Sequence, residues 1–246
     1  MSSKKRQQPG QARARGPSVS DTLISDRQSP PPPLLESHYE FLGDEDISFD
    51  RYTSEAFFQR EMELMWPRTW QWACREEHVP DVGDTYVYDI GPYSVIVVRS
   101  ADETIEAFLN SCTHRGTRLL AGEGSGYSPS FTCPFHGWSW KLDGSIRDIP
   151  ARWDFPHVCH ETHDLQRVSC ERWGGFVFVN IDTDATPLLD YLDVLPEHFK
   201  HFPLDRRRIK LHVKKILPAN WKAAQEAFME AYHNFETHDS PNGGNT

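Results

Sequence analysis

Two short blocks, Cys112-Thr-His114 and Cys133-Pro-Phe-His136, constrain this chain more than anything else in it, with eighteen residues between His114 and Cys133. Each block supplies one thiol and one imidazole, and each has a glycine close behind its histidine, Gly116 and Gly137. Two thiolates and two imidazoles form a four-ligand metal set. Zinc modules with that ligand count usually pair Cys-x2–4-Cys with His-x3–5-His, whereas here every block carries one of each. The pattern suits a two-iron, two-sulfide cluster on paired loops, with cysteines on one iron and histidines on the other. Neutral imidazole in place of thiolate removes negative charge and raises the reduction potential, so the chemistry expected is one-electron transfer. The flanking residues, Cys112-Thr-His-Arg-Gly116 and Cys133-Pro-Phe-His-Gly-Trp138, give tight loops in which backbone amides can approach cluster sulfurs. On these residues the centre is read as a Rieske [2Fe–2S] site.

Composition narrows the rest. With 38% hydrophobic and 12% aromatic residues the 246-residue chain can bury a core, one large or two modest domains in size. A formal charge of −10 argues against a nucleic-acid partner, which needs a basic face. Of five cysteines two are assigned to iron. Cys74, Cys159 and Cys170 show no framework spacing and read as free thiols in a reducing cytosol. No run of eighteen apolar residues occurs, so no membrane span is expected. The basic amino terminus lacks the apolar stretch of a secretory signal.

Along the chain, residues 1–35 are rich in Gln, Ser, Arg and Pro and are expected to form a flexible tail. Residues 36–67 form an N-terminal helical segment, with Thr53 or Ser54 as cap and Phe57, Phe58, Met62 and Met65 as its apolar stripe. Residues 68–184 carry short strand signals at 85–88, 94–98, 105–109, 137–142 and 175–180, the fourth closed by an Asp143-Gly144 turn. They read as an antiparallel β domain presenting both metal loops. Residues 185–246 read as the start of an incomplete catalytic domain. It has helical leucines near 188–195, a half-buried strand at 209–213 (Ile209, Leu211, Val213), and a helix capped by Asn220 that reaches about Tyr232. The fold class is therefore α+β.

A second metal signal lies in Glu230-Ala-Tyr-His233-Asn-Phe-Glu-Thr-His238. Imidazoles five residues apart are rotated by about 140° on a regular helix, so both reach one metal only if the helix bulges or unwinds. Glu230, three residues before His233, shares its face and can accept the ring N–H that a metal leaves unused. Alone, this pair reads as surface or satisfied core histidines on an ordinary helix.

Together with the upstream motif, Asn220-Trp-Lys222, Glu226, Phe228, Glu230, Tyr232-His233 and His238 resemble the iron-binding segment of the Rieske non-haem iron oxygenases, α (large) subunits of aromatic-ring-hydroxylating systems. The resemblance runs from about Asp50 to Asp239. It implies that Cys112, His114, Cys133 and His136 hold a cluster fed from NAD(P)H through a ferredoxin or flavin reductase. His233 and His238 would be two ligands of a mononuclear Fe(II), completed in the family by a carboxylate. It further implies a helix-grip catalytic domain, an aromatic or related substrate hydroxylated with dioxygen, and a homotrimer or hetero-hexamer. In such an assembly Glu230 would link His136 of one subunit to His233 of the next; relatives usually carry Asp there.

The family's third iron ligand lies far downstream, and no counterpart occurs in this chain. The sequence is accordingly expected to be an amino-terminal fragment that assembles the cluster but does not hydroxylate alone. The non-enzyme alternative is a Rieske-ferredoxin-like electron carrier, which leaves Glu230, His233 and His238 without a role. A respiratory Rieske protein would add a cysteine to each loop, where Thr117 and Phe135 stand here. His157, Cys159, His160 and His163 read as an ordinary polar loop, Arg206-Arg-Arg208 as a solvated patch, and Trp138 and Trp140 as shields of the cluster.

Overall fold

The computed structural model describes residues 17, 19–36, 43, 45–229 and 233. Ten strands follow the alternating and β-branched runs of the middle of the chain: β1 (Gln71–Arg75), β2 (Asp84–Ile90), β3 (Tyr93–Ala101), β4 (Thr104–Leu109), β5 (Gly124–Tyr127), β6 (Phe131–Thr132), β7 (Ser139–Trp140), β8 (Ile146–Asp148), β9 (Arg167–Trp173) and β10 (Phe176–Asn180). Seven form one antiparallel sheet in the order β1-β10-β9-β4-β3-β2-β5, and β6-β7-β8 form a second, small sheet. The helices are short: α1 (Val19–Ile24), α2 (Asp50–Thr53), α3 (Glu55–Leu64), α4 (His160–His163), α5 (Leu188–Leu192), α6 (Leu195–His198) and α7 (Trp221–Met229). The fold class is α+β, with an antiparallel sheet carrying the metal loops. None of the described helices is long and apolar enough to cross a membrane.

Strand β3 explains how the large sheet is covered on both faces. Successive side chains of a strand point to opposite sides. Its run Val95-Ile-Val-Val98 is wholly buried because Val95 and Val97 enter one core and Ile96 and Val98 the other. The first core, with Ala73, Val79, Val177 and Val179, also takes in Tyr86, Ala107 and Val168 from strands across the sheet. The second holds Phe108, Phe131, Trp138, Trp140 and Ile149 together with Cys112 and Cys133. Both metal-loop cysteines are thus rooted in a hydrophobic core and not merely carried on loops.

The chain divides into two compact units, one of residues up to 44 and 66–208, the other of 45–65 and those from 209 onward. In the second unit Ser54 caps α3 by accepting the Phe57 N–H, and Asn220 caps α7 by accepting the Lys222 N–H. The two helices are joined by a buried ion pair: Lys222 Nζ donates to Glu61 Oε1 at 2.7 Å and Oε2 at 2.9 Å, and Trp221 Nε1 donates to the same carboxylate at 3.2 Å.

One expected element is absent. Residues 209–213 form no strand, and Leu211 and Val213 are 79% and 73% exposed. Alternation makes a segment compatible with a half-buried strand, but a strand exists only where a neighbour completes its ladder of hydrogen bonds, and this segment joins neither sheet of the described residues.

Candidate metal centre

The two metal loops close in the same way. Cys112 C=O accepts from Gly116 N–H at 2.8 Å and Cys112 N–H donates to Thr117 C=O at 2.8 Å. Cys133 C=O accepts from Gly137 N–H at 3.0 Å and Cys133 N–H donates to Trp138 C=O at 2.7 Å. Offsets of four and five residues therefore recur although the histidine sits two residues after one cysteine and three after the other. Both glycines are left-handed, φ +74° at Gly116 and +75° at Gly137, a conformation that strains any residue with a Cβ. At Gly137 an added Cβ would also press Pro150 Cγ at 3.3 Å.

This closure turns backbone amides towards the sulfurs. The His114 and Arg115 N–H groups reach the Cys112 thiol, and those of Phe135 and His136 reach Cys133, the second and third residues after each cysteine. Burial raises the Cys112 thiol above its ordinary range, with the Cys133 thiol adding to the rise. Burial also acts upwards on Cys133, but the amides of His136 and Phe135, with the Cys112 thiol and the Thr117 hydroxyl, outweigh it and leave that thiol below its ordinary value. A cation held by both sulfurs would displace their protons, and the amides are placed to stabilise the thiolate charge that follows.

The imidazoles complete the arrangement. The ring centroids of His114 and His136 are 5.0 Å apart. Burial, then the proximity of His136, Arg115 and His163, lowers the His114 pKa, keeping the ring in the neutral form a metal binds. The two differ in setting. His114 lies flat against Trp138, centroids 4.6 Å and planes 5° apart, with Phe155 edge-on at 6.0 Å, whereas His136 is exposed beside Phe135.

Three supports were not read from the sequence. Asn110, 4% exposed, accepts from Leu119 and Leu120 N–H and donates to Leu120 C=O and Ser94 Oγ, pinning the exit of the first loop. An asparagine at a strand end was the available signal. The His163 carbonyl accepts from Thr113 Oγ1 and from Trp140 Nε1, both at 2.9 Å, tying the first loop to β7. Phe155 closes on Trp138 at 5.4 Å and 85°. No sequence motif marks a main-chain acceptor. Among the described residues no three His, Cys, Asp or Glu side chains converge on a single ion. A two-iron cluster needs no such triple, because each iron takes two protein ligands and two sulfides, so the donors present fit that group.

A profile of the Rieske [2Fe–2S] domain matches residues 69–159. The chain is 34% identical over 189 residues to the biphenyl 2,3-dioxygenase subunit alpha of Rhodococcus jostii strain RHA1, covering 74% of this chain and 41% of that protein. The chain is a homologue of the Rieske oxygenase α subunits. This Rieske chain is also 31% identical over 184 residues to the carnitine monooxygenase oxygenase subunit of Escherichia coli K12, covering 74% of it and 49% of that relative. Its fold matches a quaternary ammonium Rieske monooxygenase (TM-score 0.71, 28% identity, 77% of this chain and 52% of that one). It likewise matches naphthalene 1,2-dioxygenase with indole bound (TM-score 0.68, 32% identity, 76% and 43%). The Rieske chain spans about half the length of the curated relatives it matches.

Of the second metal signal, His233 lies in a partly buried turn, while Glu230 and His238 lie outside the described residues. Cys74, Cys159 and Cys170 are free thiols.

Proposed function

We propose that this chain is the cluster-bearing part of an oxygenase α subunit, relaying electrons for dioxygen-dependent hydroxylation of an aromatic or related substrate. The observation that supports the reading is the matched closure of two loops that carry a pair of neighbouring buried thiols and two imidazoles 5.0 Å apart. Cys112, Cys133, His114 and His136 are its assigned ligands. A [2Fe–2S] cluster held there supplies storage of one electron at a time. The chain's own part is to present amides to the sulfurs, keep His114 neutral and walled, and leave His136 at the surface as the edge through which charge enters or leaves. The likeness to oxygenase subunits extends over 189 residues, about twice the Rieske segment of 69–159 that an electron carrier alone would need.

The electron donor in this reading is a ferredoxin or flavin reductase drawing on NAD(P)H. His233 and His238 are the assigned histidines of a mononuclear Fe(II), Glu230 the acidic link between centres, and a trimeric or hetero-hexameric assembly follows from that link. Free thiols at Cys74, Cys159 and Cys170 support a reducing, cytosolic setting.

Anaerobic reconstitution of the full chain with ferrous iron and sulfide tests the assignment. Expected are two irons per chain and a mixed-ligand EPR signal on reduction, both abolished by Cys112→Ser or His114→Ala. A colourless protein holding a single zinc would overturn it.

A further inference from the structure

The two imidazoles of the centre are unequally housed, and the difference is built from residues that are not ligands. Trp138, 2% exposed, stacks on His114 with its plane only 5° away. Phe155 stands edge-on to both rings, at 6.0 Å from His114 and 5.4 Å from Trp138. The segment that brings Phe155 there is fastened at its far end. The His163 carbonyl takes hydrogen bonds from Thr113 Oγ1 and Trp140 Nε1, and Asp164 Oδ1 accepts from Ile146 N–H at 2.7 Å. Residues 155–164 therefore form a third loop that locks the Trp138 face of His114. His136 lies instead against the tilted ring of Phe135, centroids 3.9 Å and planes 31° apart, and both of these side chains are exposed.

We propose that Trp138, held by Phe155 and this third loop, is a positioning residue that fixes the plane of the His114 ring and keeps water from it, thereby holding down the cluster's reduction potential. The inference rests on His114 being a cluster ligand. Its sign follows from charge. Two ferric ions, two sulfides and two thiolates sum to neutral with neutral imidazoles, and adding one electron leaves a net negative charge on the centre. Water stabilises the charged state more than the neutral one, so a dry aromatic wall disfavours reduction and an opened wall favours it. A flat stack also restricts rotation of the ring about its bond to the metal, so its loss spreads the ring over several orientations.

The test uses the full chain reconstituted with iron and sulfide, reduced stepwise by one electron with dithionite, and followed by midpoint potential and EPR. Trp138→Phe preserves an aromatic face and is expected to stay near the wild-type potential with unchanged g-values. Trp138→Leu is expected to raise the potential and to shift or broaden the g-values. Phe155→Leu is expected to raise the potential by a smaller amount. Melting temperature falls in all three from lost packing, so the potential is the deciding readout. A wild-type potential, or a lowered one, in both leucine variants overturns the proposal. If Trp138→Leu cannot hold a cluster, Phe155→Leu decides alone, and an unchanged potential there overturns it. A wild-type chain without a mixed-ligand signal would instead sink the ligand assignment and this inference with it.

Discussion

Asn110 shows how one side chain can govern a metal loop without touching the metal. Its amide satisfies three backbone groups of the loop exit, at Leu119 and Leu120, and the Ser94 hydroxyl. Asn110→Ala would strand the Leu119 and Leu120 N–H groups, while the Leu120 carbonyl keeps its bond from Arg118 Nε, and each unsatisfied group costs about 1–3 kcal/mol. Relaxation recovers part of that, so a loss of about 2–4 kcal/mol is expected in urea unfolding. Faster loss of iron from the reconstituted protein should accompany it. Stability equal to wild type would show that water replaces the amide at no cost. The proposed ligands Cys112, His114, Cys133 and His136 were legible because metal binding demands particular atoms at particular spacings. Asn110 and the His163 carbonyl were not, because their value lies in what folding brings to them.

At the scale of elements, the most consequential contact is the charged pair that joins α3 to α7 across 161 positions of sequence. The side chains of Lys222 and Glu61 are 8% and 9% exposed. Such a pair adds little net stability over an apolar replacement, but removing one partner leaves the other charge buried, at a cost of about 3–5 kcal/mol. Glu61→Leu or Lys222→Met alone should therefore destabilise strongly, whereas the two combined should recover most of the loss. Chemical denaturation of the four members of that cycle checks this, and additive losses would refute the coupling. The helices themselves were visible in advance from Ser54 and Asn220, both of which cap as their types suggest. The pairing of Glu61 with Lys222 was not, since nothing local links the two. The strand anticipated at 209–213 failed for a related reason: alternation encodes which faces could be buried, and only a neighbouring strand can bury them.

For the molecule as a whole, the buried thiol of Cys74 and the partly buried thiol of Cys170 make an expected dependence on pH. Burial pushes Cys170 up to about 12 and Cys74 higher still. An unfolded cysteine ionises near 8.5, so the folded state holds the proton over a range in which the unfolded state has lost it. The associated stability is complete below about pH 8.5 and declines as pH rises towards 12, by about 1.4 kcal/mol per unit for each thiol. Urea midpoints that stay level from pH 8 to 10 in wild type, or that fall as steeply in Cys74→Ala, would contradict this. What the sequence by itself determined is chemical and periodic: the four proposed ligand types and their spacing, the left-handed glycines behind them, the caps, and the doubly buried run of β3. Those are set by the demands of a few neighbouring residues. The tertiary structure alone decided the 5.0 Å approach of His114 to His136, the stack of Trp138 on one imidazole and not the other, and the ion pair between α3 and α7. These depend on distances between segments far apart in the chain, which no local pattern encodes and only the packed cores set.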